Sequence, residues 1–179
     1  MKVLDHIPPY DTHKLGVVYV GPGQSSESEI LANTFGSSRY TEFLRGLGQL
    51  LRLQDVPQDM VYLGGLDCSG TDGQFTYCYH DDITQVVFHV ATLMPTDLTS
   101  DPQCSNKKLH IGNDYVLIVY NDSGTKYNFG TIKVSACIHL SHYLSENIPT
   151  CAHITGSLQL CRGVGGTPCR WYEQGQRQS

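Results

Sequence analysis

The sequence predicts an α/β domain in which a central mixed β-sheet is flanked by helices. Three observations predict it. Short β-branched and aromatic runs of strand length recur along the chain, bounded by Gly, Pro and Asn. Amphipathic helical patterns lie between these runs rather than in a block of their own. With 179 residues and 40% hydrophobic content, the chain has enough apolar side chains for one core.

The elements follow in order. Pro8-Pro9 rules out an early helix and leaves residues 1–14 as an extended lead-in. Gly16 to Gly21 reads as a buried strand closed by Pro22-Gly23. Ser26 followed by Glu29 is a capping-box pattern, opening a helix with Ile30, Leu31 and Phe35 that ends near Gly36. A second helix follows Ser38, with Tyr40, Phe43, Leu44 and Leu47 on one face. Leu50 to Leu53 and Val61 to Leu63 read as short strands. Ser69, Gly70, Asp72 and Gly73 then suggest a hairpin turn into a return strand, Phe75 to Tyr79. His80-Asp81-Asp82 interrupts it, and a β-branched run over 83–93 stops at Pro95. Thr96 to Asn106 is irregular, Lys107 to Gly112 makes a turn or two of helix, and Tyr115 to Tyr120 is the clearest strand.

Beyond Lys133 the character changes. Residues 134–179 lack clear periodicity and end in a Gly/Arg/Gln-rich stretch, with Ile138 to Leu144 readable as strand or helix. The division is therefore a domain over 1–133 and a poorly specified tail over 134–179. The junction Lys133-Val134-Ser135 is what translation through a splice donor produces, so the tail is expected to be foreign to the domain. Residues 1–133 hold 9 basic and 15 acidic side chains, against 3 and 2 in the tail. An acidic body of this kind argues against nucleic-acid binding. No apolar run is long enough to span a bilayer and no signal-like segment opens the chain, which predicts a cytoplasmic protein. The seven cysteines, odd in number and irregular in spacing, read as reduced thiols.

Several groups of residues have chemistry to offer. Lys107-Lys108-Leu109-His110-Ile111-Gly112-Asn113-Asp114 lies just before the strongest strand. A carboxamide such as that of Asn113 both donates to and accepts from one water, and so orients it for in-line attack on a phosphate without losing a proton. Taken alone, Gly-Asn-Asp is equally a turn, because Asn tolerates left-handed conformations. Cys137, His139, His142, Cys151 and His153 are adequate zinc ligands, but not at the usual spacings. His80-Asp81-Asp82 reads first as a solvated turn, since consecutive strand residues point to opposite faces. Gly21 to Ser26 sits where phosphate loops occur, yet lacks the residues of either nucleotide-binding fingerprint.

Seven colinear segments resemble the Rap-GAP domain family, in its tuberin-like branch. They are Tyr10 to Lys14, Gly36 to Leu44, Tyr62 to Asp67, Asp72 to Cys78, His89 to Pro95, His110 to Asp114 and Ile118 to Gly124. The resemblance implies a GTPase-activating domain acting on a small Ras-family GTPase, Rheb in the tuberin-like branch, within a hamartin-containing complex. It implies a catalytic asparagine thumb at Asn113, a companion histidine at His110, and GTPase-binding basic residues at Lys107 and Lys108. It also implies that the domain over 1–133 is incomplete at its C-terminal end. GTP and Mg2+ would belong to the partner, so no cofactor is expected in this chain. A cytoplasmic location with recruitment to endomembrane surfaces fits the same picture. The family commonly has a basic residue directly before the histidine, where this chain has Leu109. That change is expected to weaken docking and leave the asparagine chemistry intact. The alternative expectation is a catalytically inactive fragment that retains only a protein-interaction surface.

Overall fold

The computed structural model describes residues 11–57 and 61–134, together with the backbone of two strands at 136–141 and 159–162. The strands are β1 (Asp11–Val20), β2 (Gln49–Arg52), β3 (Phe75–His80), β4 (Thr84–Val90), β5 (Val116–Asn121), β6 (Ala136–Ser141) and β7 (Gln159–Arg162). The α-helices are α1 (Glu27–Leu31), α2 (Ser38–Leu47) and α3 (Ser105–Ile111). The strands form one mixed sheet in the order β2-β3-β4-β1-β5-β6-β7.

β1 lies inside the sheet, parallel to β4 on one side and β5 on the other. Its second half is buried on both faces, which is why Val17 to Val20 is a continuous apolar run. Alternate residues feed two cores. Val18 and Val20 join Leu117 and Val119 of β5, Ile30 and Leu31 of α1 and Ile111 of α3 on one face. Val17 and Tyr19 join Ile118 and Tyr120 with Tyr40 and Leu44 of α2 on the other. The result is a sheet with α1 and α3 on one side and α2 on the opposite side. A smaller cluster, Leu53, Leu63, Leu66, Val87 and Met94, packs Leu53 and the 63–66 loop against β4.

The capping box is present: Ser26 accepts from Glu29 N, and the Glu29 carboxylate accepts from Ser26 N at 2.9 Å. That helix stops at Leu31, however, and Phe35 lies beyond it, 80% exposed. α2 is capped by Ser37, whose hydroxyl accepts from Tyr40 N at 3.2 Å. The expected hairpin across residues 69–73 is corrected. Val61 to Leu63 forms no strand, and β3 pairs instead with β2 and β4, both antiparallel. Asp67 organises that loop locally, accepting from Ser69 N and Thr71 N. The true hairpin is β3-β4, turned by Asp81, whose carboxylate accepts from Ile83 N and Thr84 N. The sheet also runs two strands past Lys133: β6 pairs in parallel with β5, and β7 antiparallel with β6.

Candidate functional site

The chain leaves β4, passes through α3 over β1, and returns as β5 on the far side. This crossover decides where Asn113 stands, because Asn113 lies in the turn between α3 and β5. Gly16 of β1 is the residue α3 crosses. A Cβ there would lie 3.0 Å from Leu117, 3.1 Å from Asp114 and 3.3 Å from Ile111, so glycine allows the close approach.

α3 ends in a compact turn. Gly112 N donates to Lys108 O at 2.8 Å, and Asn113 N donates to His110 O at 3.1 Å. Asn113 is exposed, and its Nδ2 donates to Leu109 O at 2.6 Å, satisfying one of the carbonyls a helix end leaves open. By inventory, the carboxamide keeps one N–H and its carbonyl oxygen for another group. Leu109 and Tyr115 flank it, 63% and 75% exposed. Beside Tyr115 runs an open cleft of about 210 Å³, lined also by Thr12, His13, Lys14, Leu15, Tyr62 and Val116.

Beneath this exposed turn two histidines pair with carboxylates. Asp114 is buried and meets Nδ1 of the fully buried His89, with oxygens at 2.9 and 3.0 Å. The other nitrogen of His89 lies 3.3 Å from Leu63 O. Gly64, at φ +65°, makes room for this ring; a Cβ there would come within 2.8 Å of Nε2. Lys14 Nζ sits 4.0 Å from Asp114, a long-range contribution to the same carboxylate. His110 contacts His89 edge-on, with centroids 5.4 Å apart, and its Nε2 lies 2.9 Å from Asp72 Oδ1. The second oxygen of Asp72 accepts from Asp67 N at 2.8 Å. Two carboxylate–histidine pairs thus hold the α3–β5 turn to β4 and to the 63–73 loop.

The two lysines part company. Lys108 is at the surface, 2.7 Å from Glu27. Lys107, expected to contact a partner, turns inward instead: it is 1% exposed, and its Nζ donates to Leu31 O at 2.8 Å and Asn33 O at 3.1 Å. Burial pushes its ammonium down to about 8. Asn113 and Lys108 are therefore accessible, His110 is mostly enclosed, and Lys107 is not a surface cation.

Sequence reasoning assigned no role to His89 or Asp114, and read Asp72 only as a turn residue. A histidine between Phe88 and Val90 in a buried run was the available signal, since such a side chain needs a buried partner. The glycine-rich loop lies at the other end of β1. Gly21 N there is bound to Gln24 Oε1, and Ser25 N and Ser26 N are bound to the Glu29 carboxylate. Among the described residues no three His, Cys, Asp or Glu side chains group as metal ligands. Of the five zinc candidates, His142, Cys151 and His153 lie outside the described residues, as do the side chains of Cys137 and His139. No helix among the described residues is long and apolar enough to cross a membrane.

The fold is an α/β domain built on one mixed sheet, and it is that of a Rap-GAP domain. The chain belongs to the Rap/ran-GAP family, whose model matches residues 30–148, past Lys133. It is 48% identical over 133 residues to a tuberous sclerosis 2 protein homolog of Schizosaccharomyces pombe, covering 74% of this chain and 10% of that protein. It is 38% identical over 132 residues to Ral GTPase-activating protein subunit alpha-2 of Mus musculus, covering 74% and 7%. A solved structure of the TSC2 GAP domain superposes with a TM-score of 0.74 at 44% identity, covering 87% of this chain and 82% of that one. The chain spans a tenth or less of the length of these two curated relatives.

Proposed function

We propose that this chain is a GTPase-activating domain for a small Ras-family GTPase of the Rheb kind, and that Asn113 is the group that enters the partner's nucleotide site. The observation that carries the reading is the exposed Asn113 carboxamide, tethered by Leu109 O at the tip of a turn braced from beneath by the buried His89–Asp114 pair. Membership of the Rap/ran-GAP family supports it.

In this mechanism the partner supplies GTP, Mg2+ and the nucleotide pocket. Asn113 accepts from and donates to the attacking water, holding it in line with the γ-phosphorus. Because an amide neither gains nor loses a proton, the proton released on attack passes to groups of the partner or its nucleotide. Lys108 offers a surface cation for docking, and His110 supports the turn from the side. Leu109 and Tyr115 present apolar surface on either side of the thumb. The hamartin-containing complex, a cytoplasmic location and recruitment to endomembrane surfaces belong to the same proposal.

The test is single-turnover GTP hydrolysis by Rheb with and without the chain. Acceleration that disappears on Asn113→Ala is expected; no acceleration by the unaltered chain would sink the proposal. A second reading, an interaction module without catalysis, is favoured by the exposed Leu109 and Tyr115. It predicts GTPase binding with no change in hydrolysis rate.

A further inference from the structure

We infer that Lys107 is a positioning residue, its buried side chain tying the helix that carries Asn113 to the carbonyls at the end of α1. This rests on the GTPase-activating reading and sharpens it.

In sequence Lys107 and Lys108 look equivalent, and both invite a role in meeting an acidic partner. The structure separates them. Lys108 stays at the surface with Glu27, whereas Lys107 is 1% exposed and its ammonium lies on Leu31 O and Asn33 O. An ammonium at that depth has lost its hydration and must recover it from fixed acceptors. Among the described residues no carboxylate comes within 4.0 Å of it, so carbonyl oxygens do the work of a counter-ion. That of Leu31 suits this role because the last carbonyls of a helix have no partner within it and carry its negative end, and that of Asn33 lies just past the helix.

The acceptors are themselves anchored. Asn33 Nδ2 donates to Tyr19 O of β1 at 2.8 Å and to Gln24 Oε1 at 2.9 Å. Lys107 therefore links α3 through Asn33 to the central strand. α3 has only seven residues, and its end is closed by the Gly112 and Asn113 backbone hydrogen bonds, so little slack separates Lys107 from the thumb. His110 and Asp114 fix one side of this element, and Lys107 fixes the other. Losing the Lys107 anchor should let the helix shift while leaving its exposed docking face chemically intact.

The experiment measures single-turnover hydrolysis on GTP-loaded Rheb across a range of chain concentrations, for the unaltered chain, Lys107→Met and Lys107→Gln. The expected result for Lys107→Met is a maximal rate about 10-fold lower, since small misplacements of a catalytic group are costly. The half-saturating concentration should stay within about 2-fold. Lys107→Gln, which keeps an N–H donor, should recover part of the rate. A raised half-saturating concentration with an unchanged maximal rate would make Lys107 a contact residue and overturn the inference, as would no change in either. Failure of the unaltered chain to accelerate hydrolysis would count against the function proposed above and remove the catalytic part of this one. The tether is read separately, and without any variant, by reductive methylation of the folded unaltered chain. Lys107 should stay unmodified while exposed Lys126 and Lys133 react; equal labelling would overturn the inference even where Lys107→Met does not fold.

Discussion

Two sets of residues alternate through the short segment from α3 to the start of β5, and they live in opposite environments. Lys107, Ile111 and Asp114 are each 1% exposed, whereas Leu109, Asn113 and Tyr115 face solvent. Lys107 and Ile111 are spaced four apart on the helix, and the turn after it, with Asn113 N on His110 O and Asp114 N on Ile111 O, carries Asp114 back inward. A group that must enter another protein's site has to be accessible, and an accessible group on a turn is hard to hold still. On the proposed function, the difference between the two sets is how one stretch of chain would meet both demands, with the acting group outside and its location fixed from inside.

If that division is real, substitutions should separate cleanly into losses of stability and losses of rate. Asp114→Ala should have the largest effect on stability. It leaves His89 buried without its carboxylate, and urea unfolding should show a loss of about 3 kcal/mol or more. Asn113→Ala should do the reverse. We expect the acceleration of GTP hydrolysis to fall by about 100-fold, with unfolding free energy lowered by about 1 kcal/mol or less, since only the exposed hydrogen bond to Leu109 O is lost. A large stability loss at Asn113, or none at Asp114, would break the comparison.

Lys107 gives a test by pH. Its ammonium is held near about 8 in the folded chain, against an ordinary value of 10.5. Between these values the unfolded chain keeps a proton that the folded chain has released, so this group makes unfolding free energy rise with pH. The slope is on the order of 1 kcal/mol per pH unit, and Lys107→Met should lack it in denaturation series from pH 8 to 10. Above about pH 10 the raised hydroxyls of Tyr40 and Tyr120, both pushed up mainly by burial, act in the opposite sense. The smallest change is expected for Asp72→Asn. His110 and Asp72 retain some exposure, so their pair should be worth about 1 kcal/mol. Its loss should show as a fall of about 3-fold in maximal hydrolysis rate, with little change in docking.

Much of the fold was legible because it is specified locally. The Ser26–Glu29 capping box, the Tyr40 and Leu44 face of α2 and the apolar run of β5 each declare themselves within a few residues. The β2-β3-β4 arrangement did not. Residues 69–73 have the composition of a hairpin turn, but they form a loop organised by Asp67, and the partners of Phe75 to His80 are set by long-range pairing. The candidate site divides in the same way. Asn113 was singled out from its neighbours, and its exposure was legible there, whereas the inward turn of Lys107 was missed because lysine is ordinarily a surface residue. A signal was present: Cys104, Lys107 and Ile111 fall at i, i+3 and i+7, one face of a helix, and all three are buried. The His89–Asp114 pair joins residues 25 apart in sequence, and only the crossover over β1 brings them together.

The hydrogen bond from Asn113 to Leu109 O has a consequence for encounter with a partner. An asparagine side chain free at the tip of a turn would sample several rotamers, and ordering it on docking would oppose association. Here the 2.6 Å bond selects one orientation before any partner arrives. The loss of rotational freedom then falls within folding of the domain, where the interactions beneath the turn offset it. On the proposed function, each collision in the right orientation would then meet a side chain already set, and the encounter complex would need less local rearrangement.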